Sequence, residues 1–97
     1  MAFKRSSVRS RPAPHILIYS IYIIYSNSKD QFYIGHTQDV SNRLKQHNNG
    51  YSKSTKFGIP WKLLHVEHFD SRSAAIKREY EIKSKKSRKY LDWIINQ

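Results

Sequence analysis

Arg43 and His47 are two residues of this 97-residue chain whose types and spacing could do chemistry. They are four positions apart in a segment predicted to be helical, so both side chains project from one face. An arginine can hold a phosphate through two parallel hydrogen bonds and neutralise charge that develops on it, which a lysine cannot match. A histidine can orient a water molecule or bond to a tyrosine. The alternative is an ordinary solvated helix face.

A single carboxylate, that of Glu79, is the third candidate. It is the only acid of a Lys-Arg-Glu-Tyr-Glu stretch that lies three to four residues from both Ala75 and Ile82, so it shares their inward stripe. One inward carboxylate among basic residues suits a Mg²⁺ or Mn²⁺ ion that keeps most of its waters and takes one protein ligand. The alternative is a surface acid that pairs with Lys83, four residues further along the helix.

Classical metal and disulfide sites are not expected in this sequence. His65 and His68 have opposite parity in a predicted strand and therefore face opposite sides, which argues against a shared zinc ion. The chain contains no cysteine. A disulfide-stapled domain, a cysteine zinc module and an iron–sulfur site are thereby excluded.

The charge balance indicates an anionic partner. Eighteen Lys and Arg residues against seven Asp and Glu give a formal net charge of +11, and 38% of the residues are hydrophobic, a count that includes seven tyrosines. The length fits one small domain with a modest core. A folded basic domain of this kind is typical of proteins that bind nucleic acid.

Residues 1–15 are predicted to form a disordered basic arm, since they carry four bases, two prolines and no acid. The domain is predicted to span residues 16–97. A secretory signal peptide is the alternative for the first 25 residues, but the apolar run 16–25 is rich in Ile and Tyr and shorter than the ~20 residues of a membrane span. Without a membrane span, a disulfide or a convincing signal peptide, the expected location is the cytoplasm.

The elements that must position the candidate residues follow the order ββαβαα. Strands are predicted at 17–25, 31–36 and 61–69, the first of them covered on both faces and paired with the second in a hairpin. Helices are predicted over about 40–48, from about 71 and from about 87, with Asp39 or Thr37 and Asp70 or Ser71 as the first two N-caps. Residues 51–58 are predicted to be a polar loop.

Placed on these elements, the candidate residues form a recognisable pattern. Ser20-Ile21-Tyr22 stands eleven residues before Tyr33-Ile34-Gly35, and Arg43, His47 and the helical Glu79 follow. This pattern resembles the GIY-YIG nuclease family, in particular its small stand-alone bacterial members, over nearly the whole chain outside the arm. The resemblance implies an α+β fold, a small three-stranded antiparallel sheet flanked by helices. Serine replaces the first glycine of the first tripeptide, where a small residue preserves close packing.

The resemblance also implies a reaction, the hydrolysis of a phosphodiester bond in DNA assisted by Mg²⁺ or Mn²⁺. Tyr22 and Tyr33 are then the general base and its positioning partner, in either order, with Arg43 on the phosphate, His47 beside them and Glu79 on the metal. A tyrosine of ordinary pKa ~10 costs about 4 kcal/mol to deprotonate at pH 7. The base must therefore be helped by positive charge nearby.

Gly35 is predicted to let the strand backbone come close to a helix or to the substrate.

Two basic segments are candidates for DNA contacts. The predicted nucleic-acid-binding residues are Lys53, Lys56, Lys83, Lys85 and Lys86. The alternative for the first segment is a solvated connector, and for the second a solvated turn between two helices. The expected function is an endonuclease directed by DNA structure rather than by sequence, in repair or recombination. The alternative is a non-catalytic nucleic-acid-binding module that keeps the nuclease fold.

Overall fold

The Ile- and Tyr-rich run near the start of the chain forms the central strand of an antiparallel sheet. The computed structural model describes residues 18–97, so the predicted arm 1–15 and the first residue of the predicted strand lie outside the described residues. The elements are β1 (Tyr19–Ser26), β2 (Gln31–Thr37), α1 (Val40–Asn48), α2 (Lys53–Lys56), β3 (Trp61–Phe69), α3 (Arg72–Lys85) and α4 (Arg88–Ile95). The strand order is β2-β1-β3, and both neighbours pair antiparallel with β1. The predicted fold class and the order ββαβαα are confirmed.

The segment 51–58 is not the continuous loop that the sequence predicts, because it contains the one-turn helix α2. Tertiary hydrogen bonds hold this turn. The ring nitrogen of Trp61 donates to the backbone carbonyl of Thr55 at 2.7 Å, and the Thr55 hydroxyl lies 2.7 Å from a ring nitrogen of His47. A four-residue helix fixed by such distant partners leaves no periodic pattern in the sequence.

Strand β1 divides its side chains between two cores. Ile21 and Ile23 are fully buried among the side chains of α3 and α4. Tyr22 and Ile24 face the other side of the sheet, where they pack with Trp61 and with residues of α1. The alternation follows from the two-residue period of a strand, and covering both faces explains why the run has no polar face.

The helix starts decide between the predicted caps. Asp39 caps α1 by accepting the backbone N–H of Asn42 at 3.0 Å, and Ser71 caps α3 by accepting that of Ala74 at 3.2 Å. Caps of this kind contribute about 1 kcal/mol each. The start of α3 is thereby fixed at Arg72, at one end of the sheet.

Only part of the apolar pattern of α3 faces the core. Ala75 and Ile82 are buried, whereas Ile76 is 42% and Tyr80 is 74% exposed. The helix therefore packs on the sheet along a narrow stripe. Among residues 18–97, no helix has the length and apolar character needed to cross a membrane.

Candidate active site

Three aromatic side chains meet on the face of the sheet that α1 covers. In the hairpin, Tyr22 pairs with Gly35 and Tyr33 pairs with Ile24, so the two tyrosines share one face. Their ring centroids are 6.3 Å apart. His47 reaches down from α1, with its ring centroid 5.8 Å from that of Tyr22 and 5.1 Å from that of Tyr33.

Gly35 provides the space that the Tyr22 ring occupies. A Cβ atom on Gly35 would lie 2.6 Å from the Tyr22 hydroxyl oxygen and 2.9 Å from Cζ. Non-bonded carbon and oxygen atoms do not approach so closely without a shift of the structure. The close approach predicted at this glycine is therefore an approach of the neighbouring tyrosine to the strand backbone.

A chain of hydrogen bonds fixes the imidazole of His47, which is fully buried. The Tyr22 hydroxyl lies 2.9 Å from Nε2, and Nδ1 lies 2.7 Å from the hydroxyl oxygen of Thr55. Thr55 donates its own proton to the carbonyl of Ser52 at 3.5 Å, so its oxygen accepts from Nδ1–H. This network assigns the proton to Nδ1 and leaves Nε2 to accept from Tyr22.

Burial shapes the titration of both partners in that bond. Burial raises the pKa of the Tyr22 phenol to about 12, although the Arg43 side chain acts in the opposite direction. Burial and the positive charge of Arg43 hold the pKa of His47 below its ordinary value. At neutral pH the pair is therefore a neutral phenol that donates to a neutral imidazole.

Arg43 lies on α1, one turn before His47, as the predicted spacing requires. Its guanidinium donates to the side-chain oxygen of Gln46 at 2.9 Å. The positive charge of Arg43 acts to lower the pKa of both Tyr22 and His47. The Arg43–Gln46 bond is a single half-buried contact that a phosphate could replace.

Glu79 comes from α3, on the opposite side of the sheet from the aromatic group. Its carboxylate is 16% exposed and bonds to Nδ1 of His36 at 2.5 Å and to the ammonium of Lys83 at 2.7 Å. Burial alone would raise the pKa of Glu79, but the bonds from Lys83 and His36 outweigh it and hold the pKa below its ordinary value. The carboxylate is ionised at neutral pH, and its charge still acts on Tyr22.

The site therefore straddles the edge strand β2. His36 lies beside Ile21 on the α3 face, directly after Gly35, while the Tyr22 ring crosses Gly35 on the α1 face. His36 is not among the predicted site residues, although its position immediately after the second tripeptide is a signal that could have found it. The sequence offers two interpretations of Glu79, an inward carboxylate and a surface acid paired with Lys83. The structure contains both features, because the half-buried carboxylate also bonds to Lys83.

The other histidines have separate partners, as their parity predicts. His68 bonds to the hydroxyl of Ser20 at 2.7 Å, and His65 bonds to Glu67 at 2.9 Å. Ser20 is buried, so the serine that replaces the motif glycine is accommodated by a polar partner. Within residues 18–97, no group of three or more His, Asp or Glu side chains could hold a metal ion.

The five predicted DNA-binding lysines are all exposed, two on α2, two on α3 and one directly after α3. Lys53 and Lys56 lie on α2, on either side of the Thr55 that supports His47. Lys83 is bonded to Glu79, and the ammonium of Lys85 lies 5.5 Å above the ring of Tyr90. Lys86 follows the helix in a left-handed conformation.

Comparison with known proteins decides the family. The family model of the GIY-YIG catalytic domain matches residues 18–91. The chain belongs to the GIY-YIG family. The predicted resemblance is thereby confirmed, and GIY-YIG nuclease domains act on DNA and generally use divalent metal ions.

Several small GIY-YIG relatives carry the name UPF0213 protein. One from Haloquadratum walsbyi is 46% identical over 65 residues, covering 66% of this chain and 72% of its own. One from Staphylococcus saprophyticus is 43% identical over 75 residues, covering 75% of this chain and 92% of its own. The solution NMR structure of the UPF0213 protein from Bacillus halodurans is 30% identical, covers 81% of this chain and 83% of that one, and superposes with a TM-score of 0.52.

The donor set of this GIY-YIG site fits a hydrated divalent ion. Glu79 offers one ionised carboxylate, and Nδ1–H of His36 orients it by donating to one of its oxygens. Mg²⁺ is commonly held by one or two carboxylates while substrate phosphates and waters complete its shell. Lys83 occupies one carboxylate oxygen, so it must move aside, and at 49% exposure it is free to do so.

Proposed function

We propose that this chain is an endonuclease that hydrolyses phosphodiester bonds in DNA, directed by DNA structure and acting in repair or recombination. One observation carries the proposal, the buried bond between the Tyr22 hydroxyl and Nε2 of a neutral His47. Arg43 and Glu79 lie close enough to change the pKa of the same phenol. A protein that only held DNA would gain nothing from a carboxylate placed near an anionic backbone.

The Tyr22–His47 pair removes the proton of the attacking water. A free Tyr22 phenolate is too costly, because a pKa of about 12 corresponds to about 7 kcal/mol at pH 7. Tyr22 instead passes its own proton to Nε2 of His47 as it takes one from the water. The phenol stays neutral throughout, and the imidazolium that forms is stabilised by the approaching phosphate.

Tyr33 and Arg43 position the reacting groups. Tyr33 is half-buried, with its ring edge against His47, so its hydroxyl orients the water or a phosphate oxygen. Arg43 exchanges its bond to Gln46 for the scissile phosphate, where it neutralises charge that grows on the non-bridging oxygens.

Glu79 holds the divalent ion, and His36 orients the carboxylate through its 2.5 Å bond. A bound Mg²⁺ or Mn²⁺ supplies a Lewis acid for the phosphoryl and leaving oxygens. Lys83, released from Glu79, joins Lys53, Lys56, Lys85 and Lys86 in binding the DNA backbone. Such contacts carry no sequence information, which supports recognition of DNA structure.

The test is nicking of supercoiled and branched DNA with Mg²⁺ or Mn²⁺. Glu79→Gln is expected to slow nicking by at least about 100-fold, and Tyr22→Phe by about 10²–10⁴-fold. Glu81→Gln is the matched control, because it removes the same charge from the same helix at a side chain that is 55% exposed. It is expected to stay within about twofold of the wild type.

The outcomes separate the two functions. Nicking that survives Glu79→Gln would show that this carboxylate is not the metal ligand. A wild-type chain that binds DNA but nicks none of these substrates would establish the non-catalytic module instead. Mn²⁺-induced relaxation of water protons reports metal binding without DNA, and it should weaken in Glu79→Gln and persist in Glu81→Gln.

A further inference from the structure

A polar cleft opens beside Glu79, on the α3 side of the sheet. It has a volume of about 350 Å³ and is lined by Tyr19, His36, Thr37, Gln38 and Arg72. His36 is shared between this cleft and the Glu79 carboxylate, which it contacts at 2.5 Å. The cleft therefore adjoins the Glu79 carboxylate through His36, and none of its lining residues belongs to the predicted site.

The lining groups match one nucleotide unit of a DNA strand. Arg72 forms no ion pair with any carboxylate of residues 18–97. Its guanidinium and the Gln38 amide provide donors that bind a phosphate, and the Thr37 hydroxyl can add a third by exchanging its long 3.5 Å bond to the Asp39 carbonyl. Tyr19 adds an aromatic ring against which a sugar or base can pack. The volume is at the small end of the ~300–1,000 Å³ range of ligand pockets, which suits a single unit.

We infer that this cleft binds the nucleotide next to the scissile phosphate, with Arg72 holding the flanking phosphate. The inference rests on the proposed nuclease function, because that function defines which phosphate is scissile. Arg43 and Arg72 then hold successive phosphates on the two sides of the edge strand β2. A strand gripped at both points is fixed in direction as well as in position, which a single arginine cannot achieve.

The first experiment locates the ligand. Thymidine 3′,5′-bisphosphate is added in EDTA to the full chain, and the backbone amide resonances are followed by NMR. Saturable shifts are expected at Thr37 and Gln38, with affinity reduced about tenfold in Arg72→Gln, the loss of one charge-assisted hydrogen bond. Lys77→Gln is the matched control, since it removes the same charge from an exposed position on the same helix.

Three results of the titration with the bisphosphate would overturn the inference. They are unchanged affinity in Arg72→Gln, an equal loss in Lys77→Gln, or shifts confined to residues outside the cleft. Inorganic phosphate at the same concentrations is expected to bind more weakly, because it lacks the groups that pack on Tyr19. Equal affinity for phosphate and for the bisphosphate would show a simple anion site and no nucleotide cleft.

The second experiment uses short duplex DNA, again in EDTA, and measures the dissociation constant against salt. Arg72→Gln should lower the slope of log affinity against log salt by about one, the value for one lost phosphate contact. Because no cleavage is needed, the two proposals fail separately. If the wild type shows no nuclease activity but Arg72→Gln changes binding as described, the proposed nuclease function is refuted and the proposed nucleotide cleft stands. If the wild type cleaves DNA and Arg72→Gln leaves binding unchanged, only the proposed cleft is refuted.

Discussion

Replacing Gly35 by alanine would test whether the Tyr22–His47 bond depends on space above the edge strand. The added Cβ would lie 2.6 Å from the Tyr22 hydroxyl oxygen, whereas ordinary contact begins at 3.4 Å. One of the two must therefore move by at least about 0.8 Å, the difference between these distances. Hydrogen bonds cluster between about 2.7 and 3.2 Å, so a displacement of this size is enough to break the 2.9 Å bond to His47.

The expected loss of stability combines two terms. Overpacking of a filled core costs about 1–3 kcal/mol. A lost intramolecular hydrogen bond adds about 0.5–1.5 kcal/mol. The free energy of unfolding should therefore fall by about 1.5–4.5 kcal/mol, and nicking should fall with it because the proton path to His47 is interrupted.

Urea unfolding measures the loss of stability in Gly35→Ala. The nicking assay measures the loss of activity in conditions where the variant is folded. Gly50→Ala is the control, because Gly50 has a φ of 78° and a Cβ there would make only ordinary van der Waals contacts, the shortest 3.7 Å to Lys56. It should lose about 1–2 kcal/mol through backbone strain alone and keep its activity. Wild-type stability in Gly35→Ala, or equal activity losses in the two variants, would refute the reasoning.

Three further predictions concern titration and ion pairs. Burial raises the pKa of Tyr22 from 10 to about 12, so its neutral form stabilises the fold fully below pH 10. About 3 kcal/mol of the free energy of unfolding should be lost as the pH rises through 12. Urea unfolding should show this loss in the wild type and not in Tyr22→Phe. Because the pKa of His47 is lowered in the folded state, its contribution to stability should be full above the ordinary histidine pKa of about 6.5 and should fall as the pH drops towards the folded pKa. An equal fall of the urea-unfolding midpoint with pH in His47→Gln would contradict this. Arg78→Ala removes two bonds, at 2.8 and 3.2 Å, from a Glu67 side chain that is only 25% exposed, and should lower the free energy of unfolding by about 1–3 kcal/mol. Arg88→Ala breaks the exposed pair with Asp30 and should lower the free energy of unfolding far less than Arg78→Ala does. Equal losses in the two variants would show that burial does not set the difference.

The sequence predicts the parts of this molecule that depend on short-range pattern. The strand run of β1, a choice of two candidate caps for each of α1 and α3, and the spacing of Arg43 and His47 on one helix face follow from local rules. The family motif supplies the two tyrosines and Glu79, which the strand register and α3 carry to the edge strand. These features need no knowledge of distant contacts.

The features that the sequence does not predict depend on contacts across the fold. Helix α2 exists because Thr55 meets His47 and Trp61, and no pattern within residues 51–58 encodes that meeting. The bond between His36 and Glu79 joins residues 43 positions apart. The raised pKa of Tyr22 likewise requires burial that only the packed structure provides. Each of these is a property of two elements that approach each other.

The alternation of side chains along strand β1 also decides which face of the sheet each of its residues serves. Alternate residues serve different purposes, since Ile21 and Ile23 hold the sheet to α3 and α4 while Tyr22 sits in the proposed active site. If a length change in the hairpin turn shifted β2 by one residue against β1, the two faces of β2 would be exchanged, so that Tyr33 would turn towards α3 and Ile34 towards α1. Such a change acts on every side chain of β2 at once, whereas a substitution acts on one. A directed library could accordingly vary the odd-numbered positions of β1 for stability while leaving the even-numbered ones to chemistry.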